Sequence, residues 1–133
     1  MLPDKLSALI RVAVADLEKC ERDENYIVDM DYWHIYRNNK CLVCLAGAVM
    51  AKSCNIPTTM DCSPFSFTII RSEANKLSAL DSVRIGDIQE ALGLFDIEHN
   101  CDFYRDVTEY SRSPEKFKSE LLTLADELEE YGY

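Results

Sequence analysis

Cys41-Leu42-Val43-Cys44-Leu45-Ala46-Gly47-Ala48-Val49-Met50-Ala51 is a run without a single charged, amide or hydroxyl side chain, in a chain otherwise rich in acids. It is too short to span a bilayer, which needs roughly 20 apolar residues. Its small side chains let neighbours approach from every side, and a helix that is apolar all round belongs at the centre of a domain. The run therefore reads as a central helix, closing near Cys54-Asn55 ahead of Ile56-Pro57.

Working outward from it, Arg37-Asn38-Asn39-Lys40 reads as a turn into that helix. Upstream, Tyr26 to Tyr36 lacks helical period. Tyr26-Ile27-Val28-Asp29-Met30 suits a short strand or extended loop, and Tyr32-Trp33-His34-Ile35-Tyr36 continues it with aromatic side chains. A first helix runs from about Pro3 to Arg22, with Leu6, Leu9, Ile10, Ala13, Leu17 and Cys20 on one stripe and Arg11, Asp16, Glu18, Lys19 and Glu21 around it.

Downstream, the segment from Thr58 to Ile70 reads as a loop with one short extended piece. A third helix covers about Glu73 to Ile85, with Ser72 as its cap, Ala74, Leu77, Leu80 and Val83 inward, and Gly86 as its stop. A fourth carries Ile88, Ala91, Leu92 and Phe95, and the segment from Asp96 to Arg112 reads as a loop with one irregular helical turn around Phe103 to Tyr110. The last helix opens on Ser113-Pro114, a cap and a first-position proline, and buries Phe117, Leu121, Leu124 and Leu128. The expected architecture is mainly α: one domain over residues 1–133, about five helices around the central apolar one, with room for a short β-hairpin or extended segments.

Composition narrows the function classes. The chain has 133 residues, 47% hydrophobic and 29% charged, which is ordinary for a folded domain. Asp and Glu number 24 against 14 Lys and Arg, a formal charge of -10. Such a surface repels nucleic-acid phosphates and anionic membranes and favours a protein partner with a basic surface. A homodimer is a reasonable default for a small helical protein. No secretory segment is expected ahead of the six cysteines, because Met1-Leu2-Pro3-Asp4 leads straight into an amphipathic stretch. Reduced thiols in a cytoplasm are expected.

Cys41-x-x-Cys44 is the first constellation to weigh. A structural zinc needs four ligands, usually from two such pairs or a pair plus histidines. Here one pair exists, with His34, Cys54 and Cys62 as the nearest additions. A redox dithiol needs a strand-turn-helix context that does not precede this pair. Core cysteines are the favoured reading, with no metal and no cofactor, and Cys41, Cys44 and His34 as the residual metal candidates. Four scattered glycines make no phosphate-cradling loop. His34 and His99 have no evident nucleophile beside them, so no catalytic residue is assigned.

Two stretches are candidates for partner contact. Asp29, Asp31, Tyr32, Trp33, His34 and Tyr36 place flat aromatic side chains beside carboxylates, a composition favoured at interfaces. The competing reading seats Trp33 in the core as an anchor for the loop. Glu120, Glu127 and Glu130 lie on the acidic side of the last helix, where carboxylates either imitate DNA phosphates or form a solvated face.

The segments Asp31-Tyr32-Trp33-His34, Cys41 to Lys52 and Lys76 to Gly86 together resemble a group of small proteins encoded by tailed bacteriophages and prophages. These share a Trp-His pair, a Cys-x-x-Cys-Leu-Ala-Gly segment and a later stretch of this kind. The resemblance covers about residues 29–95. It implies a phage origin and a host-cell cytoplasm, and it carries over no catalytic residue, since no activity is established for that group. The expected function is non-catalytic binding of a host or phage protein, in host takeover or defence evasion. The alternatives are a DNA mimic and a zinc or thiol-redox protein built on Cys41 and Cys44.

Overall fold

The computed structural model describes residues 2–63, 71–84 and 107–133, the side chains of 81–84 excepted. In chain order it contains α1 (Leu6–Glu21), β1 (Tyr26–Val28), β2 (His34–Arg37), β3 (Lys40–Val43), α2 (Leu45–Lys52), α3 (Arg71–Arg84) and α4 (Pro114–Glu130). The architecture is α/β: four described helices and a three-stranded mixed sheet. It is neither all-α nor a five-helix bundle.

The correction falls on the apolar run itself. Cys41, Leu42 and Val43 are strand, Cys44 is extended (φ -92, ψ -166), and only from Leu45 does the run become helix. The sheet order is β1-β3-β2, so β3 lies between two strands, parallel to β1 and antiparallel to β2. A strand inserted in this way is apolar along its whole length and shows no period of two, which is why it merges with the buried helix that follows. The turn holds the missed signal. Asn38 and Asn39 both have positive φ (52 and 64), the left-handed pair that joins adjacent strands through a two-residue hairpin. Arg37 then faces Lys40, Tyr36 faces Cys41 and His34 faces Val43.

The Cys44 thiol caps α2, accepting the Gly47 amide at 3.5 Å. The helix stops at Lys52. Asn55 turns left-handed (φ 56), and the Ile56 amide reaches back to the Met50 carbonyl at 3.0 Å before Pro57. All of Leu45 to Ala51 is buried, so the helical half of the run is central as expected. It packs on α1, α3, β2 and β3.

α1 and α4 form the other half of the core and pack on each other. The Ser113 hydroxyl caps α4, with Pro114 at its start, and Phe117, Leu121, Leu124 and Leu128 are buried. Burial of each such side chain contributes roughly 1.5–3 kcal/mol. Asp16, assigned to the exposed side of α1, is instead buried, where it accepts the Ser53 hydroxyl at 2.5 Å and pairs with Lys19 at 3.5 Å. It ties α1 to the end of α2. α3 begins two residues before its expected start, so Ser72 lies inside the helix rather than capping it, while Ala74, Leu77 and Leu80 are buried. The extended piece at 64–70, the stop at Gly86, the fourth helix over 88–95, the loop up to 106, His99 and Cys101 fall outside the described residues. Among the described residues, no helix is long and apolar enough to cross a membrane.

Candidate functional site

Everything singled out between Tyr26 and Cys44 belongs to the sheet or to the loop that feeds it, and the sheet sorts those residues by face. Strand alternation places Val28, Val43 and His34 in one row and Tyr26, Cys41 and Tyr36 in the next, both on the helix side. The intervening row is Ile27, Leu42 and Ile35, on the opposite face. Ile27 is 47% exposed, and Leu42 and Ile35 are half-buried.

The helix-side face is a closed polar cluster set in apolar packing. His34 is fully buried. Its Nδ1 lies 2.7 Å from the Met60 carbonyl oxygen. A carbonyl only accepts, so Nδ1 carries the proton and Nε2 is left to accept from the Cys41 thiol at 3.5 Å. Burial holds the His34 imidazole below its ordinary range and pushes the Cys41 thiol up to about 12. Both groups are thus neutral near pH 7, a thiol facing an imidazole, with no thiolate to act as nucleophile. Cys20 behind them is likewise raised by burial to about 12. Cys20, Cys41 and Cys54 are free thiols. No group of three His, Cys, Asp or Glu side chains able to hold a metal occurs among the described residues.

Trp33 and Gly47 explain the other two conspicuous letters of this region. The Trp33 backbone crosses the first turn of α2 so closely that a Cβ on Gly47 would stand 1.4 Å from the Trp33 carbonyl oxygen. Only glycine fits there. The Trp33 side chain is half-buried against the core, as the anchoring reading has it. His34, though proposed for partner contact, is sealed inside. The Trp-His pair and the Cys-x-x-Cys-Leu-Ala-Gly segment therefore meet in space as one packing unit: Trp33 on Gly47, His34 on Cys41, and Cys44 on the helix start.

The remaining partner-contact residues divide. Asp31 and Tyr36 are exposed, while Asp29 and Tyr32 are half-buried. Asp29 continues the ladder through its amide to the Val43 carbonyl (2.8 Å), and its carboxylate accepts the Asp31 amide (3.0 Å). The Tyr36 amide donates to Asp61 at 2.9 Å, and its hydroxyl to Asn39 at 3.4 Å. On α4, Glu120 accepts both the amide and the hydroxyl of Thr108 (2.6 and 2.8 Å), and Glu127 is half-buried. Glu130 is exposed, while Arg11 binds the neighbouring Asp126 and Glu129 at 2.8 and 2.7 Å. The α4 acids do not make one uniform row of open charge, and the structure does not bring them together with the sheet residues.

Sequence reading passed over Ile27, Leu42 and Ile35. They share a row only because β3 is a strand, and no local pattern in three separate segments states that. No protein-family model, no curated protein and no solved structure matches this chain.

Proposed function

We propose that this chain is a small acidic accessory protein of phage or prophage origin that works by binding another protein, without turnover. The observation that carries the reading is the aliphatic row Ile27, Leu42 and Ile35, aligned across the outer face of the sheet with Ile27 47% exposed. Covering such a row removes apolar surface from water, which is the usual source of interface free energy. The row sits on strands whose inner face is packed and hydrogen-bonded, so it is presented without loss of loop entropy.

The charge of -10 favours a partner with a basic surface and works against nucleic acid and anionic membranes. The resemblance of the Trp33-His34 and Cys41 to Lys52 segments to phage proteins supplies the origin, and with it a host cytoplasm in which free thiols persist. Burial of Cys41, His34 and Cys44 supports a packing role for them over metal or thiol chemistry. The pairing of Asp126 and Glu129 with Arg11 weighs against imitation of DNA by α4.

Affinity capture from host lysate tests the reading. The wild-type protein is expected to retain one basic protein reproducibly and release it as salt rises. Ile27→Asp, which leaves the inner face untouched, is expected to lose it. Equal retention by the variant, or no reproducible protein at all, overturns the proposal.

A further inference from the structure

The two edges of the sheet are not equivalent. Along the outer side of β2, the Cys62 amide donates to the His34 carbonyl at 2.8 Å and Asp61 takes the Tyr36 amide, so the segment at 60–62 closes that edge. Among the described residues, β1 has no such cover. The Cys41 amide bonds the Asn25 carbonyl at 2.9 Å and the Asp29 amide bonds the Val43 carbonyl at 2.8 Å. Strand groups alternate in direction, so Asn25, Ile27 and Asp29 turn their backbone to β3 while Tyr26 and Val28 turn theirs outward. The Tyr26 amide is used locally, by the Asp23 carbonyl at 3.1 Å. The Val28 amide and carbonyl and the Tyr26 carbonyl line the outer edge, and no described residue bonds them.

Acids bracket this edge at both ends. Asp23 and Glu24 precede β1, and Asp29 and Asp31 follow it. Asp23 is neutralised by Lys52 at 2.8 Å and the Lys40 ammonium lies against the Glu24 carbonyl, whereas the Glu24 and Asp31 side chains are exposed. Asp29 and Asp31 leave the end after β1 the more acidic. Two copies of this chain meeting edge to edge would set these carboxylates against one another in either strand direction, and like charges so placed repel. A strand with cationic ends meets the opposite sign at both ends. We propose that β1 accepts an extended segment of the partner as a fourth strand, with a β-branched centre between Lys- or Arg-rich ends. This rests on the binding reading above and names the partner's chemistry and its mode of docking.

The test uses the full chain, isotope-labelled, and the synthetic peptide Lys-Arg-Val-Thr-Val-Lys-Arg. Binding is expected to shift the amide resonances of Tyr26 to Asp29, slow hydrogen exchange at the Val28 amide, and weaken with salt. Methylating the peptide's central backbone nitrogens, or replacing its basic residues by Glu, is expected to reduce affinity roughly tenfold or more. Val28→Pro removes the outward donor and is expected to do the same, since an edge strand tolerates proline where the amide faces outward. The methylated peptide keeps the test independent of how well that variant folds. Undiminished binding of the methylated or Glu peptide, no binding of the parent peptide, or a salt-stable dimer through β1 overturns the edge assignment. If lysate capture is lost in Ile27→Asp yet unchanged in Val28→Pro, the edge assignment falls while the binding reading stands.

Discussion

The two faces of one small sheet lie in opposite surroundings, although their residues alternate along the same strands. On the inner face, Cys41, Val43 and His34 are wholly buried, and the Trp33 backbone lies on Gly47 at a distance that admits no side chain. On the outer face, Ile27 stands nearly half in water, with Leu42 and Ile35 beside it. A residue chosen for chemistry alone, such as His34 or Cys41, looks functional and is sealed in the packing. A plain isoleucine, Ile27, looks structural and stands exposed, where the proposed contact is made. Position in the pleat, rather than reactivity, separates them.

The contrast can be broken first at Gly47. Gly47→Ala forces its new methyl into a backbone carbonyl that cannot swing aside, so the loss is expected at or above the upper end of the roughly 1–3 kcal/mol typical of overpacking. Urea unfolding monitored at Trp33 reads it, and a midpoint shift of a few tenths of a molar or less would show that the contact is not tight. His34→Ala comes next. It leaves the Met60 carbonyl without its donor and opens a cavity, together about 2–3 kcal/mol.

A milder probe is pH. Burial lowers the His34 pKa from the ordinary 6.5, so the unfolded chain binds the proton more readily than the folded one. Stability from this group is present above pH 6.5 and drains away as pH falls from there through the folded-state value. Unfolding midpoints across that window should decline in the wild type and flatten in His34→Gln. Smallest of all, Ile27→Thr keeps a β-branched residue on an exposed strand and should change stability by no more than about 0.5 kcal/mol. If it costs as much as His34→Ala, the outer row is core and the contrast between the faces dissolves.

Thiol chemistry sharpens the same comparison. With their pKa values near 12, Cys20 and Cys41 should resist iodoacetamide in the native protein at pH 8 and react once it is unfolded. Fast native alkylation of Cys41, read by peptide mass mapping, would place it on an accessible face.

The stretch Tyr26 to Tyr36 was legible as aromatic, acidic and non-helical. Its division between anchor and surface was not, because Trp33 and His34 are sorted from Ile27 and Asp31 only by what α2 places beneath them. The Asn38-Asn39 pair was the one local clue to the hairpin, and recognising two left-handed residues there would have made Cys41 to Val43 a strand. On α4 the acidic positions were evident from spacing, but Arg11 on α1, which binds two of the acids near them, is distant in sequence.

Local physics by itself settled the helices that carry their own signals: α1 from its stripe, α4 from Ser113-Pro114 and its leucines, and the burial of Cys20, Cys41 and Cys44 from an apolar setting. Only tertiary structure decided where the apolar run stops being strand and becomes helix. Apolar residues satisfy either form equally, and the choice rests on backbone hydrogen bonds from β1 and β2, which no stretch of Cys41 to Ala51 contains.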